Sequence, residues 1–479
     1  MDKIIERKLK LIQLLYSYTT FVNAYELGNE MGLTDKTIHS EVSILSDYLK
    51  ETNYGLEIIK KKSTYYLKRE TIHYLEGLLL TIKQESTSFL VTKNLFDNKT
   101  SLKSIFKEHH YNVSYYYKSM HIYRQQLQPF CLDFTSSPAE FIGEEHLIRT
   151  YLYFFFWDHY GKIEWPFQHL KKEQALEIVK KIAHTISISF TKAEQLKVAY
   201  WVAITMKRTK NQHYLSPIPI KEERPFIRYT DANHWLDLFF PFQIKPTEEV
   251  IQQETRFIFS TLLVVLDAEN FETMIEAGKI EYQDGDILDL SLQFCKNIEN
   301  YFPFKSSING NTILYAVYRI FYKHILLKGK FESNELVFLP KIEYQKNTLY
   351  NETYNKFISD IIHSSRSFSA LKTKKILWDD LSSIVGSVTD LTHYQPKFTV
   401  LLNLTLGKLE ELFVMDYLNK LNYTLIFERS SGKPIDLIIT DSYFEKNLTL
   451  TPYFLWNDGN LVDNLSRLTT FLETISLSS

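Results

Sequence analysis

The sequence predicts a mainly α-helical, multidomain protein that ends in a small α/β domain. Three observations carry this. The 479 residues contain only 14 glycines and 13 prolines, too few for a turn-rich all-β chain of this length. Apolar residues recur at helical spacing through most of the first 395 positions, whereas residues 396–479 alternate between short apolar runs and helical segments. At roughly 150 residues per domain the length implies about three domains, and more if they are small.

Composition excludes several classes. Hydrophobic residues make up 44% and charged residues 23%, which is globular rather than disordered. The 55 basic and 57 acidic residues nearly cancel, so any nucleic-acid surface must be local. Two distant cysteines, Cys131 and Cys295, form neither a disulfide framework nor a metal clamp and suit a reducing cytoplasm. Met1 to Lys10 is charged throughout, without the apolar core of a signal peptide. The densest apolar stretch, Tyr151 to Trp157, is far short of the ~20 residues of a membrane helix. No membrane association is expected.

The first segment, residues 1–70, reads as a winged helix-turn-helix. Ile5, Leu9, Ile12 and Leu15 form the apolar stripe of a first helix. Asn23, with Glu26 three residues later, caps a second helix that Gly32 ends. Thr34 caps a third, whose buried face is Ile38, Val42, Leu45 and Leu49. After Gly55 the period changes to two, giving a hairpin with Lys61-Lys62-Ser63 at its tip. Residues 57–69 hold five basic residues against one acid. Lys36, Thr37, His39, Ser40 and Ser43 lie on the expected outer face of the third helix, short enough to approach base edges in a major groove. Lys60, Lys61 and Lys62 are expected to grip phosphates. The competing reading leaves these lysines merely solvated.

A second helix-turn-helix is expected over residues 71–162. A helical stretch from Thr71 to Asp97 precedes a short helix with Leu102, Ile105 and Phe106, a turn at His109 to Asn112, a helix from Ser114 to Leu127, and a short hairpin ending before Gly143. Residues 99–128 carry five basic residues and one acid. Lys103, Ser114, Tyr115, Tyr116, Lys118 and Arg124 are the candidate DNA contacts, although at helical spacing at least one tyrosine must face the core. His109-His110 lacks the companions of a metal site.

Residues 163–282 and 283–395 read as two helical bundles. The first contains a capping box at Thr191 to Glu194 and a proline-bearing loop at Pro217, Pro219 and Pro225. Residues 396–479 open with Phe398 to Leu404, a run typical of a parallel strand buried on both faces. A helix over Lys408 to Leu421, three further strands and a final helix follow. Ser431-Gly432-Lys433-Pro434 departs from a phosphate-binding loop, with Phe at 427 and Pro at 434. The motif spacings of common catalytic and nucleotide-binding sites do not occur, so neither an enzyme nor a bound cofactor is expected.

Glu26 to Ile38, Phe141 to Glu144 with the helix that follows, Glu164 to Phe167, and this order of modules together resemble the Mga/AtxA-like bacterial transcriptional regulators. The resemblance implies that the bundles are phosphotransferase-system regulation domains (PRDs) and that the last domain is enzyme IIB-like. It also implies a global or virulence-related activator with low DNA sequence specificity, paired through its C-terminal part. Relatives in that family take phosphate on bundle histidines from the phosphocarrier HPr. Here the helix from Thr191 to Arg208 contains no histidine, which leaves His184, His324 and His393 as candidate acceptors. The enzyme IIB nucleophile is also missing: the stretch after the first strand, Asn403 to Gly407, has no cysteine, so phosphotransfer there lacks its reacting group. The rival readings are a phosphocarrier-like protein, which this absence opposes, and an RNA antiterminator built on the same bundles, which would begin with strands rather than helices.

Overall fold

Lys3–Ser17 forms α1 and buries Ile5, Leu9, Leu11, Ile12 and Leu15. The computed structural model describes residues 3–216, 247–265, 286–326, 348–442, 451–456 and 461–478, apart from positions 53, 71–73, 98–100, 162, 187, 306–307, 373–374, 395–396, 406–407, 420, 422 and 429–433. A short strand, β1 (Val22–Asn23), leads into α2 (Ala24–Met31), and Asn23 and Glu26 form the reciprocal capping box that their spacing predicts. Gly32 closes α2 at φ 65°, where a side chain would be strained. Gly28 lies so close to the turn that a Cβ there would come within 2.7 Å of the Leu33 carbonyl oxygen. Both glycines hold the tight turn into α3 (Asp35–Glu51), which Thr34 caps through the Thr37 amide.

The hairpin pairs β2 (Leu56–Lys61) with β3 (Thr64–Arg69) in the register Lys61↔Thr64. Lys62 and Ser63 alone turn the chain, with Lys62 at φ 55°. The short β1 strand, which periodicity did not reveal, pairs on the other side of β3 at Val22↔Tyr65. Ile12, Leu27, Ile38, Leu45 and Leu67 are almost completely buried in one core, each stabilising the domain by about 1.5–3 kcal/mol relative to exposure.

The helical stretch expected from Thr71 to Asp97 is two helices, α4 (Leu75–Gln84) and α5 (Thr87–Phe96), broken where Ser86 caps α5. Helices α6 (Leu102–Glu108) and α7 (Val113–Leu127) precede the antiparallel pair β4 (Asp133–Ser136) and β5 (Ala139–Ile142) and the aromatic-rich α8 (Glu145–Tyr160). Then follow α9 (Lys172–Ile186), α10 (Lys192–Lys210) and α11 (Glu248–Val265). Thr191 and Glu194 form the predicted capping box of α10.

A buried charge network joins three of these helices. Arg149 on α8 donates to both oxygens of Glu254 on α11, to Glu145 Oε1 at 3.0 Å and to the His213 carbonyl at 2.9 Å. Arg208 on α10 donates to both oxygens of Glu145, at 2.9 and 2.7 Å. Two guanidiniums and two carboxylates thus balance one another inside the fold, which is the condition under which charges tolerate burial.

The remaining described helices are α12 (Asp286–Tyr301), α13 (Gly310–Leu326), α14 (Thr348–Ser364), the short α15 (Arg366–Ala370) and α16 (Lys375–Val388). The proline loop after residue 216 lies outside the described residues, as do the positions around Ser431. The chain divides into two compact units. One comprises Met1–Leu292, Leu314–Phe338 and Thr373–Trp378, and the other Gln293–Ile313, Leu339–Lys372 and Asp379–Ser479.

The α/β region has a parallel sheet in the order β7-β6-β8-β9, formed by β6 (Lys397–Asn403), β7 (Thr424–Glu428), β8 (Leu437–Thr440) and β9 (Tyr453–Leu455). Helix α17 (Lys408–Leu418) connects β6 to β7, and α18 (Leu461–Ser478) follows β9. Val400, Leu437, Ile439, Leu468 and Leu472 are fully buried at its centre.

Candidate nucleic-acid interface

In the first winged unit the outward face of α3 presents Lys36, Ser40 and Ser43, all exposed, together with Ile44. Thr37 is half-buried and its hydroxyl meets that of Thr34 at 2.9 Å, so it serves the cap before any ligand. His39 departs from the expectation of a free base-contacting group: its Nδ1 is bonded to the hydroxyl of Tyr65 on β3, and the two rings meet edge-on. Helix α3 itself carries Asp35, Glu41, Asp47 and Glu51 against Lys36 and Lys50. Beside α3, positive charge is therefore supplied by the wing rather than by the helix itself. Lys60, Lys61 and Lys62 are all exposed, with the Lys61 ammonium 5.3 Å from the centre of the Phe21 ring and that of Lys60 6.0 Å from Tyr65. Lys68 is paired with Glu57 at 3.3 Å, so it contributes less.

The second unit repeats the plan with different electrostatics. Asn112 caps α7 by accepting from the Tyr115 amide at 2.7 Å, and α7 contains Lys118 and Arg124 with no acidic residue. Its buried face runs Tyr116, Ser119, Met120, Tyr123 and Leu127. This corrects the expectation for Tyr116, which packs edge-on against Phe106 at 5.2 Å and is closed to a ligand. Its neighbour Tyr117, 61% exposed, occupies the outward position instead. Ser114, Tyr117, Lys118, His121 and Gln125 form one exposed stripe at spacings of three and four, and the last two are bonded at 3.2 Å. Tyr115 is half-buried, 4.8 Å from the Tyr111 ring, and Lys103 is exposed on α6. Arg124 is tied to the hairpin: its Nε donates to Asp133 at 3.0 Å, and the guanidinium lies 4.6 Å from the Phe134 ring. The expected Ser114 and Lys118 lie on this stripe, Tyr116 does not, and Tyr117, His121 and Gln125, which share it, were not among the expected contacts.

The candidate phosphate acceptors are placed differently from one another. His184 on α9 is exposed, and His393, in a turn after α16, is exposed with its Nδ1 3.5 Å from Asp390. His324 on α13 is buried, which corrects the expectation that it could be offered to a phosphate donor. After β6, Thr405 donates from both its amide and its hydroxyl to Asp441, at 2.8 and 2.7 Å. Among the described residues no group of three or more histidine, cysteine or acidic side chains is placed to hold a metal ion, and no helix is long and apolar enough to cross a membrane.

Residues 73–156, from α4 into α8, match the model of the Mga helix-turn-helix domain. Over these residues the chain is similar to the Mga regulators. It is 23% identical over 359 residues to the capsule synthesis positive regulator AcpB of Bacillus anthracis, a span of 74% of this chain and 68% of the relative. AcpA of the same organism, also a capsule synthesis positive regulator, matches at 23% over 232 residues, 48% of each chain. A putative trans-acting regulator of Streptococcus pneumoniae serotype 4 matches at 21% over 223 residues, 45% of this chain and 43% of the relative. The Mga-type domain thus coincides with the unit whose α7 bears the exposed stripe.

Proposed function

We propose that this chain is a transcriptional activator that binds duplex DNA through two winged helix-turn-helix units and controls capsule-type or other virulence genes. The observation that carries the reading is α7: within the Mga-type domain it is an exposed, acid-free helix beside a hairpin, the geometry by which a recognition helix enters a major groove. The Lys60 to Lys62 wing supplies phosphate contacts that add affinity without sequence information. The names of the relatives support the capsule and activator part.

In the same reading, the helices between the DNA-binding units and the α/β region are PRD-like and the last domain is enzyme IIB-like but inert. HPr would act only through exposed histidines, His184 or His393. A homodimer is proposed through α17, where Leu409, Leu412 and Phe413 are exposed while Val414 and Leu418 face the sheet. Two linked DNA-binding arms gain avidity from such pairing. Cross-linking the protein to DNA in cells and sequencing the bound fragments tests the function: discrete enrichment upstream of genes whose transcription falls on deletion is expected. Bound fragments spread no differently from a control without the protein would refute it.

A further inference from the structure

Tyr65 sits at the centre of the wing. It is on β3, opposite Lys60 on one side and Val22 on the other, and only 1% of it is exposed. Its hydroxyl reaches across to Nδ1 of His39 on α3. Burial pushes the phenol up from its ordinary value, so Tyr65 stays neutral and able to donate. A phenolic O–H donated to Nδ1 leaves the remaining imidazole proton on Nε2. The wing tip is held from the other side as well, since the Ala24 amide donates to the Ser63 carbonyl at 3.1 Å. Lys61 lies over Phe21, whose ring is 5.4 Å from that of Tyr66. Among the described residues His39 is the one side chain of α3 with a side-chain hydrogen bond to the wing.

We propose that His39 and Tyr65 form a latch that sets the angle between helix α3 and the wing, so that Lys60, Lys61 and Lys62 reach phosphates while α3 lies in the groove. His39 is then a positioning residue rather than a reader of bases. The inference rests on the DNA-binding reading above but goes beyond it, because it assigns the His39–Tyr65 pair a role in wing placement. A wing that is free to swing contacts fewer phosphates, and each lost contact lowers the slope of log affinity against log salt by about 0.9. A change that merely destabilised the fold would lower the active fraction and leave that slope alone.

The test is binding of the full chain to a fluorescent duplex across a salt series, for the wild type, Tyr65→Phe, Lys60/Lys61/Lys62→Ala and the combination of these changes. Tyr65→Phe removes one oxygen and keeps the ring, so folding, checked by circular dichroism, is retained. The latch predicts a flatter slope in Tyr65→Phe and no further flattening when the change is added to the triple alanine variant. It also predicts that His39→Asn, whose amide oxygen falls near the position of Nδ1, keeps the wild-type slope while His39→Leu does not. A wild-type slope in Tyr65→Phe, or equal loss in both backgrounds, would overturn the latch while leaving DNA binding intact. A wild-type chain that bound no duplex at low salt would overturn the DNA-binding reading and the latch with it.

Discussion

Arg149 and Glu254, 105 positions apart in sequence, face each other as a two-pronged ion pair in which neither side chain is exposed. Glu145 joins the same Arg149 to Arg208, so α8, into which the Mga-type domain runs, is locked to α10 and α11. The ion pairs hold the Arg149 guanidinium above its ordinary value against the opposing effect of burial. Removing one partner strands the other charge in a water-free interior. Arg149→Met or Glu254→Leu is therefore expected to destabilise the first compact unit by about 3–5 kcal/mol in denaturant unfolding, and the double replacement by less than either single change.

Adjacent tyrosines on α7 should behave oppositely. Tyr116→Ala opens a cavity beside Phe106 and is expected to cost roughly 3 kcal/mol of stability. Tyr117→Ala should leave the unfolding midpoint near wild type and weaken DNA binding. Paired melting and anisotropy measurements on the two variants check this.

Replacing Lys60, Lys61 and Lys62 with alanine should weaken binding to all duplex sequences alike, since these groups meet phosphates. If each wing lysine contacts one phosphate, the salt slope falls by about 0.9 per lysine. Changes at Lys118 and His121, on the outward stripe of α7, should instead alter the ranking of sequences in a competition selection.

Acid should loosen the first compact unit through His159 on α8. Its ring is packed against Phe155 and Phe89 near Lys83, and burial followed by the Lys83 charge lowers it to about 4. The unfolded chain takes up this proton near the ordinary pKa of ~6.5. Stability is thus fully present above pH 6.5 and is lost as pH falls from there toward 4, by an amount on the order of 3 kcal/mol. His169 and His213, also lowered mainly by burial, add loss of the same sign. Urea unfolding at pH 7.5, 6 and 5 should show the decline, and His159→Phe should flatten it.

The dimer proposal predicts that Leu412→Arg with Phe413→Asp gives a monomer in sedimentation equilibrium at micromolar concentration. A double variant that remains a dimer would place the pairing elsewhere.

Local signals made much of this architecture legible. Asn23 with Glu26, Gly32, Thr34 and the lysine-tipped hairpin each act within a few residues, so the first winged unit could be read before its structure was known. The capping box at Thr191 is another such signal, and the apolar run from Phe398 announced β6, although only Phe398 and Val400 are buried and Thr399 and Leu401 on the other face are half-buried, so the strand is not covered on both faces as expected. What escaped depends on distant partners. No local pattern tells that Tyr65 lies under His39, that Val22 pairs with Tyr65, or that Arg149 finds Glu254. On α7 Ser114 and Lys118 face outward as expected and Tyr116 does not: three consecutive tyrosines offer the same apolar ring to either face, and packing against Phe106 selects Tyr116 for the core.

The most direct measurement is the affinity of the full chain for duplex DNA as salt is raised from 50 to 200 mM. The Lys60 to Lys62 wing, together with Lys118 on the acid-free α7, predicts tight binding at low salt that falls steeply and linearly on logarithmic axes, with single-stranded RNA of the same length a poor competitor. No binding at 50 mM salt, or an affinity indifferent to salt, would contradict the account.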